Sequence, residues 1–357
     1  MTNKPFFPIH TSDRILFKRC RRKWDLRSSI RRHLEPIDQT PNINLWFGTG
    51  FHFALEDYHG YNRFGDPVKA LEAYFMAFSI DQLPEGAEET IAMGMDMFEY
   101  YKKWSENRER YETVWLDGKP MVEVKFELEL ADLSEIAGVP VIYRGTLDRV
   151  AKDPYGDWWI EDYKTAANID INKLATDPQV TSYCWAGEQY FEREIAGMLY
   201  TQFAKKSPQP PKILQNGFPS LNKQQKTTHR LYRDGLLQIF PDGDFPSDYT
   251  EFLNYLAEKE TPEGDAYIRR DPVYRNLHAK ENAYKHIWQE VFEMITPDLF
   301  IYPNPTRDCI WDCAEFRPIC LAMDEGDDWG RIIEDFYREQ REEDETWKQR
   351  IKWPVAP

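Results

Sequence analysis

The residues best suited to chemistry lie in one short stretch, WWIEDYKTA, residues 158–166. On an extended strand, residues two apart face the same way, so Asp162 and Lys164 share one face and Glu161 and Tyr163 the other. The run before it, YRGTLDRV, carries Asp148, and the turn-forming Asp153-Pro154-Tyr155-Gly156-Asp157 joins the two into a hairpin. Gly145 leaves room for something to approach the backbone closely. Two converging carboxylates suit Mg²⁺ or Mn²⁺, which take oxygen ligands and keep several waters. Such an ion activates a water, bridges to a phosphate and steadies the leaving oxygen. A lysine beside it can orient the water or neutralise charge developing on the phosphate. Asp148, Asp162 and Lys164 thus make a complete phosphodiester-cleaving unit. The spacing alone also fits an ordinary surface ion pair.

The elements that must position these residues follow from hydrophobic periodicity. Residues 11–35 read as a basic helix, and 48–61 as a helix in which Phe51, Leu55 and Tyr58 recur on one face. Further helices are predicted over 67–80 and 86–112. Residues 120–130, 141–151 and 157–165 alternate as half-buried strands, followed by a helix over 177–190 and a strand over 196–204. The Pro-, Gly-, Lys- and Gln-rich region 205–245 reads as loops. A strand near 266–274, a helix near 276–295 and a charged helix over 328–350 complete the order. This is an α/β (α+β) chain with a mixed sheet flanked by helices. It divides into a helical region 1–115, a sheet-bearing core 116–210 and a C-terminal region 211–357.

The flanking residues add a resemblance. GTGFHFALEDYH, residues 48–59, resembles the His-containing helix of the RecB-like nucleases of the PD-(D/E)XK superfamily. WIEDYKTA resembles their third motif, and Gln179 to Tyr183 their Q-x-x-x-Y motif. The four motifs come in the family's order. The resemblance implies a restriction-endonuclease-like core with His52, Asp148, Asp162 and the carbonyl of Tyr163 as ligands of Mg²⁺ or Mn²⁺, and Lys164 as catalytic lysine. It implies that Gln179 and Tyr183, four apart on one helix face, meet DNA or support the site. Glu123 stands where many relatives carry an acid, Glu56 lies one turn beyond His52, and Glu161 is excluded by its strand face.

The chain has five cysteines, an odd number that speaks against a disulfide framework. Cys309, Cys313 and Cys320 fall within twelve residues. With the distant Cys20 they resemble the iron–sulfur arrangement of AddB-type and CRISPR-associated RecB-like nucleases, although each gap is one residue longer than usual. The resemblance implies a [4Fe–4S] cluster clipping the chain ends together. Zinc held by four thiolates and accidental neighbours remain the alternatives. Cys184 reads as a core residue.

A net charge of −16 argues against a nucleic-acid binder, but charge is unevenly placed. Lys18 to Arg32 holds eight basic residues and one acid, Asp25, so Arg21, Arg22 and Lys23 are candidates to face DNA; the plainer reading is a solvated helix face. Trp24, Trp46 and Trp311 are candidates to line a DNA path. No long apolar run or secretory signal is seen, so a cytoplasmic protein without a membrane partner is expected. No phosphate-binding motor loop is present either. The resemblance implies a DNA exonuclease of phage or mobile-element recombination, repair or CRISPR adaptation, working with a partner from that pathway. The rival readings are a nucleic-acid-binding iron–sulfur protein of this fold that cleaves little, and an iron–sulfur protein whose Asp162–Lys164 pair is a surface ion pair.

Overall fold

The computed structural model describes residues 6–38, 42–61, 63, 65–172, 174–340, 347, 348 and 351. The chain opens with β1 (Phe7–Ile9), α1 (Thr11–Arg19) and α2 (Arg21–Arg27). The single basic helix expected over 11–35 is therefore two. Cys20 between them takes an extended backbone, φ −160° and ψ 111°, which breaks the helical path and turns its thiol toward the C-terminal region. After β2 (Leu34–Pro36) comes α3 (Ile43–Gly60), started by Asn42, whose side chain accepts the N–H groups of Asn44 and Leu45. α4 (Pro67–Met76) is capped by Asp66 with proline in its first turn, and α5 (Ala87–Arg108) follows.

The sheet is built next. β3 (Glu112–Thr113), the small hairpin of β4 (Trp115–Leu116) and β5 (Lys119–Pro120), and β6 (Val122–Glu129) lead through α6 (Ala131–Ala137) to the long β7 (Val141–Lys152) and β8 (Trp158–Ala166). Then come α7 (Pro178–Phe191) and β9 (Ile195–Ala204). Seven strands form one mixed sheet: β7 pairs antiparallel with β3, β6 and β8 and parallel with β1, β8 runs parallel to β9, and β10 (Ile268–Tyr274) closes the far edge antiparallel to β9. β1 and β10 come from outside 116–210, so that segment does not complete its own sheet.

One sheet face packs Leu147, Val150 and Ile160 against Val180 and Cys184 of α7 and Ile287 and Val291 of α10 (Leu277–Ile295). The other packs Tyr163 and Phe203 against Phe47, Phe51, Leu71, Phe98 and Tyr101 of α3, α4 and α5. Two helical layers thus sandwich the mixed sheet, as the alternating strands and amphipathic helices require. The region 205–245 is not all loop: α8 (His229–Leu237) packs on α9 (Ser247–Ala257) around Tyr232, Leu236 and Phe252. α11 (Arg317–Glu325) leads to α12 (Trp329–Phe336). The helix expected over 328–350 stops at Phe336, because β11 (Tyr337–Glu339) pairs instead with the open edge of β2; its part beyond Gln340 falls mostly outside the described residues. No described helix is long and apolar enough to cross a membrane.

Candidate active site

β7 and β8 pair only from Lys152–Trp158 to Arg149–Glu161. One step further stand Asp148 and Asp162. There the ladder stops, and the Asp148 carboxylate accepts the backbone N–H of Tyr163 at 2.8 Å. On the other side of β7, β6 is interrupted at Glu123. Val122 pairs with Arg149 and Val124 with Leu147, while Glu123 has φ +47°, a left-handed backbone that a side-chain-bearing residue enters at a cost. That kink delivers the Glu123 carboxylate to the same place. α3 lies across this point and brings His52, whose Nδ1 is 3.6 Å from both Glu123 Oε1 and Asp148 Oδ2. Its Nε2 lies 3.1 Å from the carbonyl oxygen of Tyr163.

His52, Glu123 and Asp148 each offer a ligand atom, all within 4.8 Å of one another. Asp162 adjoins them. Its Oδ1 accepts from Lys164 Nζ at 2.8 Å and from Gln179 Nε2 at 3.1 Å, whereas its buried Oδ2 has no hydrogen-bond partner. A buried, unpartnered carboxylate oxygen is costly unless a cation or water meets it.

The electrostatics report a site that demands positive charge. Burial depresses the His52 imidazole, yet the Asp148 and Glu123 carboxylates outweigh burial and push its pKa up to about 10. Burial raises Asp162 to about 6 in spite of Lys164. The same burial works against the Lys164 ammonium, but Asp162 and Asp148 hold it above its ordinary value. Burial also opposes ionisation of Asp148, and His52 and Lys164 overcome it, leaving that carboxyl below its usual range.

The structure brings Asp148, Asp162, Lys164, His52 and the Tyr163 carbonyl together and adds Glu123 as a full member. Gln179 reaches the site from α7. Tyr183, one turn on, packs edge-on against Phe126 and lies beside Gly145, where a Cβ would come within 2.9 Å of the Phe126 ring. The room at Gly145 is thus filled by side chains of the protein. Glu56 is half-buried on α3 and stands outside the group of three.

Glu161 faces away from Asp162, as strand alternation requires, into a buried charge cluster with no counterpart in the sequence reading. Its carboxylate meets Arg149 at 2.7 Å and Arg270 at 2.7 Å, and accepts from Thr201 Oγ1 at 2.6 Å and the Tyr163 hydroxyl at 3.0 Å. Arg270 also binds Glu109 at 2.8 Å. The available signal was the alternation itself, which puts charged Arg149 and Glu161 on a strand face that should otherwise be apolar.

Cys20 lies between α1 and α2, and Cys309, Cys313 and Cys320 lie in the C-terminal segment, all four half-buried. The Asn304 N–H donates to Cys20 Sγ at 3.4 Å, the Thr306 N–H to Cys309 Sγ at 3.3 Å, and Arg22 to Cys320 Sγ at 3.4 Å. Burial pushes the Cys313 thiol up to about 11; Lys23 opposes this, and the charges of Cys20, Cys309 and Cys320 add to it. Among the described residues, no three of these sulfurs stand within 4.8 Å of one another. Cys184 is buried in the core and burial raises it to about 12.

The basic stretch is spent internally. Arg21 pairs with Glu293 at 2.6 Å, Arg22 with Asp324 at 2.7 Å and Lys23 with Asp312 at 2.9 Å. Trp24 and Trp46 are core residues, 0% and 9% exposed, while Trp311 is open to solvent. Comparison with protein-family models and with curated proteins returned no match to this chain.

Proposed function

We propose that this protein is a divalent-metal-dependent nuclease of the PD-(D/E)XK type that hydrolyses DNA phosphodiester bonds as an exonuclease. The observation that carries the reading is the convergence of His52, Glu123 and Asp148 next to Asp162, whose second oxygen is buried without a partner. Carboxylates, a carbonyl and one imidazole form a hard, mostly oxygen donor set that fits Mg²⁺ or Mn²⁺. His52, Glu123, Asp148, Asp162 Oδ2 and the Tyr163 carbonyl would hold it. When bound, the ion supplies Lewis acidity and an activated water.

The protein's own residues do the rest. Lys164, its side chain 37% exposed and its ammonium held by Asp162, is the cation that would meet the scissile phosphate and offset charge gained in the transition state. Gln179 shares the Asp162 oxygen that Lys164 uses, which fixes the carboxylate's rotation. Asp148 ties β8 at Tyr163, so carbonyl and carboxylates keep one geometry. The reading is tested by metal-dependent cleavage of linear DNA, compared between wild type and an Asp162 variant.

We further propose that Cys20, Cys309, Cys313 and Cys320 hold a [4Fe–4S] cluster. Four thiolates are the number such a cluster takes, each serving its own iron. The N–H groups of Asn304 and Thr306 and the Arg22 guanidinium are placed to receive thiolate charge.

A further inference from the structure

Between Glu194 and Asp234 the chain runs 39 residues without an Asp or Glu, although acids make up 61 of its 357 residues. The same stretch carries Lys205, Lys206, Lys212, Lys223, Lys226, Arg230 and Arg233. Of these, Arg230 alone has acid partners among the described residues, Glu106 and Asp234. Lys206, Lys212, Lys223, Lys226 and Arg233 are exposed. All eight cations from Lys18 to Arg32, by contrast, have an acid partner, as with Lys18–Glu290, Arg19–Asp308 and Arg27–Glu315. A run of positive charge without acid partners among the described residues is therefore found at 205–233 and not on the N-terminal helices.

This segment is placed and shaped for a ligand. It leaves the sheet beside the candidate site: Gln202 pairs with Lys164 in the β8–β9 register, and the Lys205 N–H donates to the Ala166 carbonyl at 2.8 Å. It is also held in one form. The Gln209 N–H bonds the Lys226 carbonyl, the Ser220 N–H bonds the Lys212 carbonyl at 2.8 Å, and the Gln225 side chain bridges Lys212 N–H to Ser220 carbonyl. Lys212, Lys223 and Lys226 are thereby gathered on one frame. Beyond them a tight turn, Leu214 to Phe218 with Gly217 at φ +81°, presents Ile213, Leu214 and Phe218 to solvent, 52%, 43% and 38% exposed.

We propose that residues 205–233 form the surface that binds single-stranded DNA, the lysines tracking phosphates and the apolar turn meeting unstacked bases. Cations with exposed apolar and aromatic groups between them match a strand whose bases are open, since duplex DNA hides its base faces. The proposal rests on the nuclease reading for its choice of polyanion. The segment's first residue, Lys205, bonds the carbonyl of Ala166, two residues past Lys164, so the segment leaves the sheet next to the site.

The test is fluorescence anisotropy of a labelled single-stranded oligonucleotide with the full-length protein in EDTA, titrated with salt. Absent cleavage leaves this measurement standing, so failure of the nuclease reading and failure of this one are told apart. Wild type is expected to bind with a steep salt dependence and to prefer single strands to duplex. Lys212→Glu, Lys223→Glu and Lys226→Glu together should weaken binding at least about tenfold and flatten the log–log salt slope by about 2, at ~0.7 per phosphate contact. The milder Lys226→Gln should flatten it by about 0.7, which keeps the test alive if the triple variant misfolds. Phe218→Ala should lower affinity for single strands and spare duplex. Lys18→Gln and Arg27→Gln should bind as wild type. Unchanged affinity and slope in the lysine variants would overturn the proposal, as would binding to phosphatidylserine vesicles without binding to oligonucleotide.

Discussion

The Asp148 carboxylate accepts the N–H of Tyr163 at 2.8 Å, from the strand that faces it. One side chain thus replaces the ladder hydrogen bond where β7 and β8 part and also stands among the donors around His52. Asp148→Asn keeps an oxygen able to accept that N–H but removes the negative charge. The variant is expected to stay folded and to bind Mn²⁺ at least about tenfold more weakly, as read by calorimetric titration. Unchanged Mn²⁺ affinity would remove Asp148 from the ligand set.

The raised pKa of His52 fixes a pH dependence. A folded pKa of about 10 against an ordinary 6.5 means that the protonated imidazole stabilises the metal-free fold fully below about 6.5, and that this contribution is lost as pH rises through 10. Metal binding needs the neutral ring, so Mn²⁺ should release a proton and bind more tightly as pH rises from 6 to 9. Titration in buffers of different ionisation enthalpy measures the proton released. Glu123→Gln should reduce that release, because one of the two carboxylates holding the proton is gone. An affinity independent of pH would contradict His52 as a ligand.

Glu161 is held ionised in the core: burial opposes its charge, and Arg270 and Arg149 overcome burial. Glu161→Gln leaves Arg149 and Arg270 with Glu109 as their one remaining carboxylate and should cost about 3 kcal/mol of stability, the usual penalty for breaking a buried pair from one side. Urea unfolding reads the loss, and Mn²⁺ binding below the transition should persist. A folded variant that no longer binds Mn²⁺ would make Glu161 part of the site after all.

Protein purified without oxygen should be brown, with iron and sulfide in a ratio of about four each. Cys313→Ser should lose colour and iron, and should loosen the packing of Leu26, Leu34 and Phe316 against which Cys313 lies. A colourless protein carrying one zinc would instead establish the competing metal.

Much of the core was legible because alternation survives burial: β6, β7 and β8 fall where 120–130, 141–151 and 157–165 alternate, and Asp162 and Lys164 do share a face. Three features were not. Glu123 is a candidate by resemblance alone, and the left-handed kink that carries it to the site is not foreseen by strand parity. The basic run Lys18 to Arg32 announces charge but not its partners, and the acids that neutralise Arg19, Arg22 and Lys23 arrive from Asp308, Asp324 and Asp312 at the other end of the chain. Trp24 is a candidate DNA-facing ring by sequence, but the break at Cys20 folds α2 back so that Trp24 stacks edge-on against Phe17 at 5.0 Å, inside the core.

Cleavage of end-labelled linear and closed circular DNA with Mg²⁺ or Mn²⁺, comparing wild type with Asp162→Ala, decides whether a nuclease centre stands at Asp162. Wild type is expected to degrade linear DNA, leave circles intact and stop in EDTA, and the variant to be slowed by at least about a hundredfold while remaining folded. Wild type and variant equally inert on every DNA form, or equally active, would contradict a nuclease centre at Asp162.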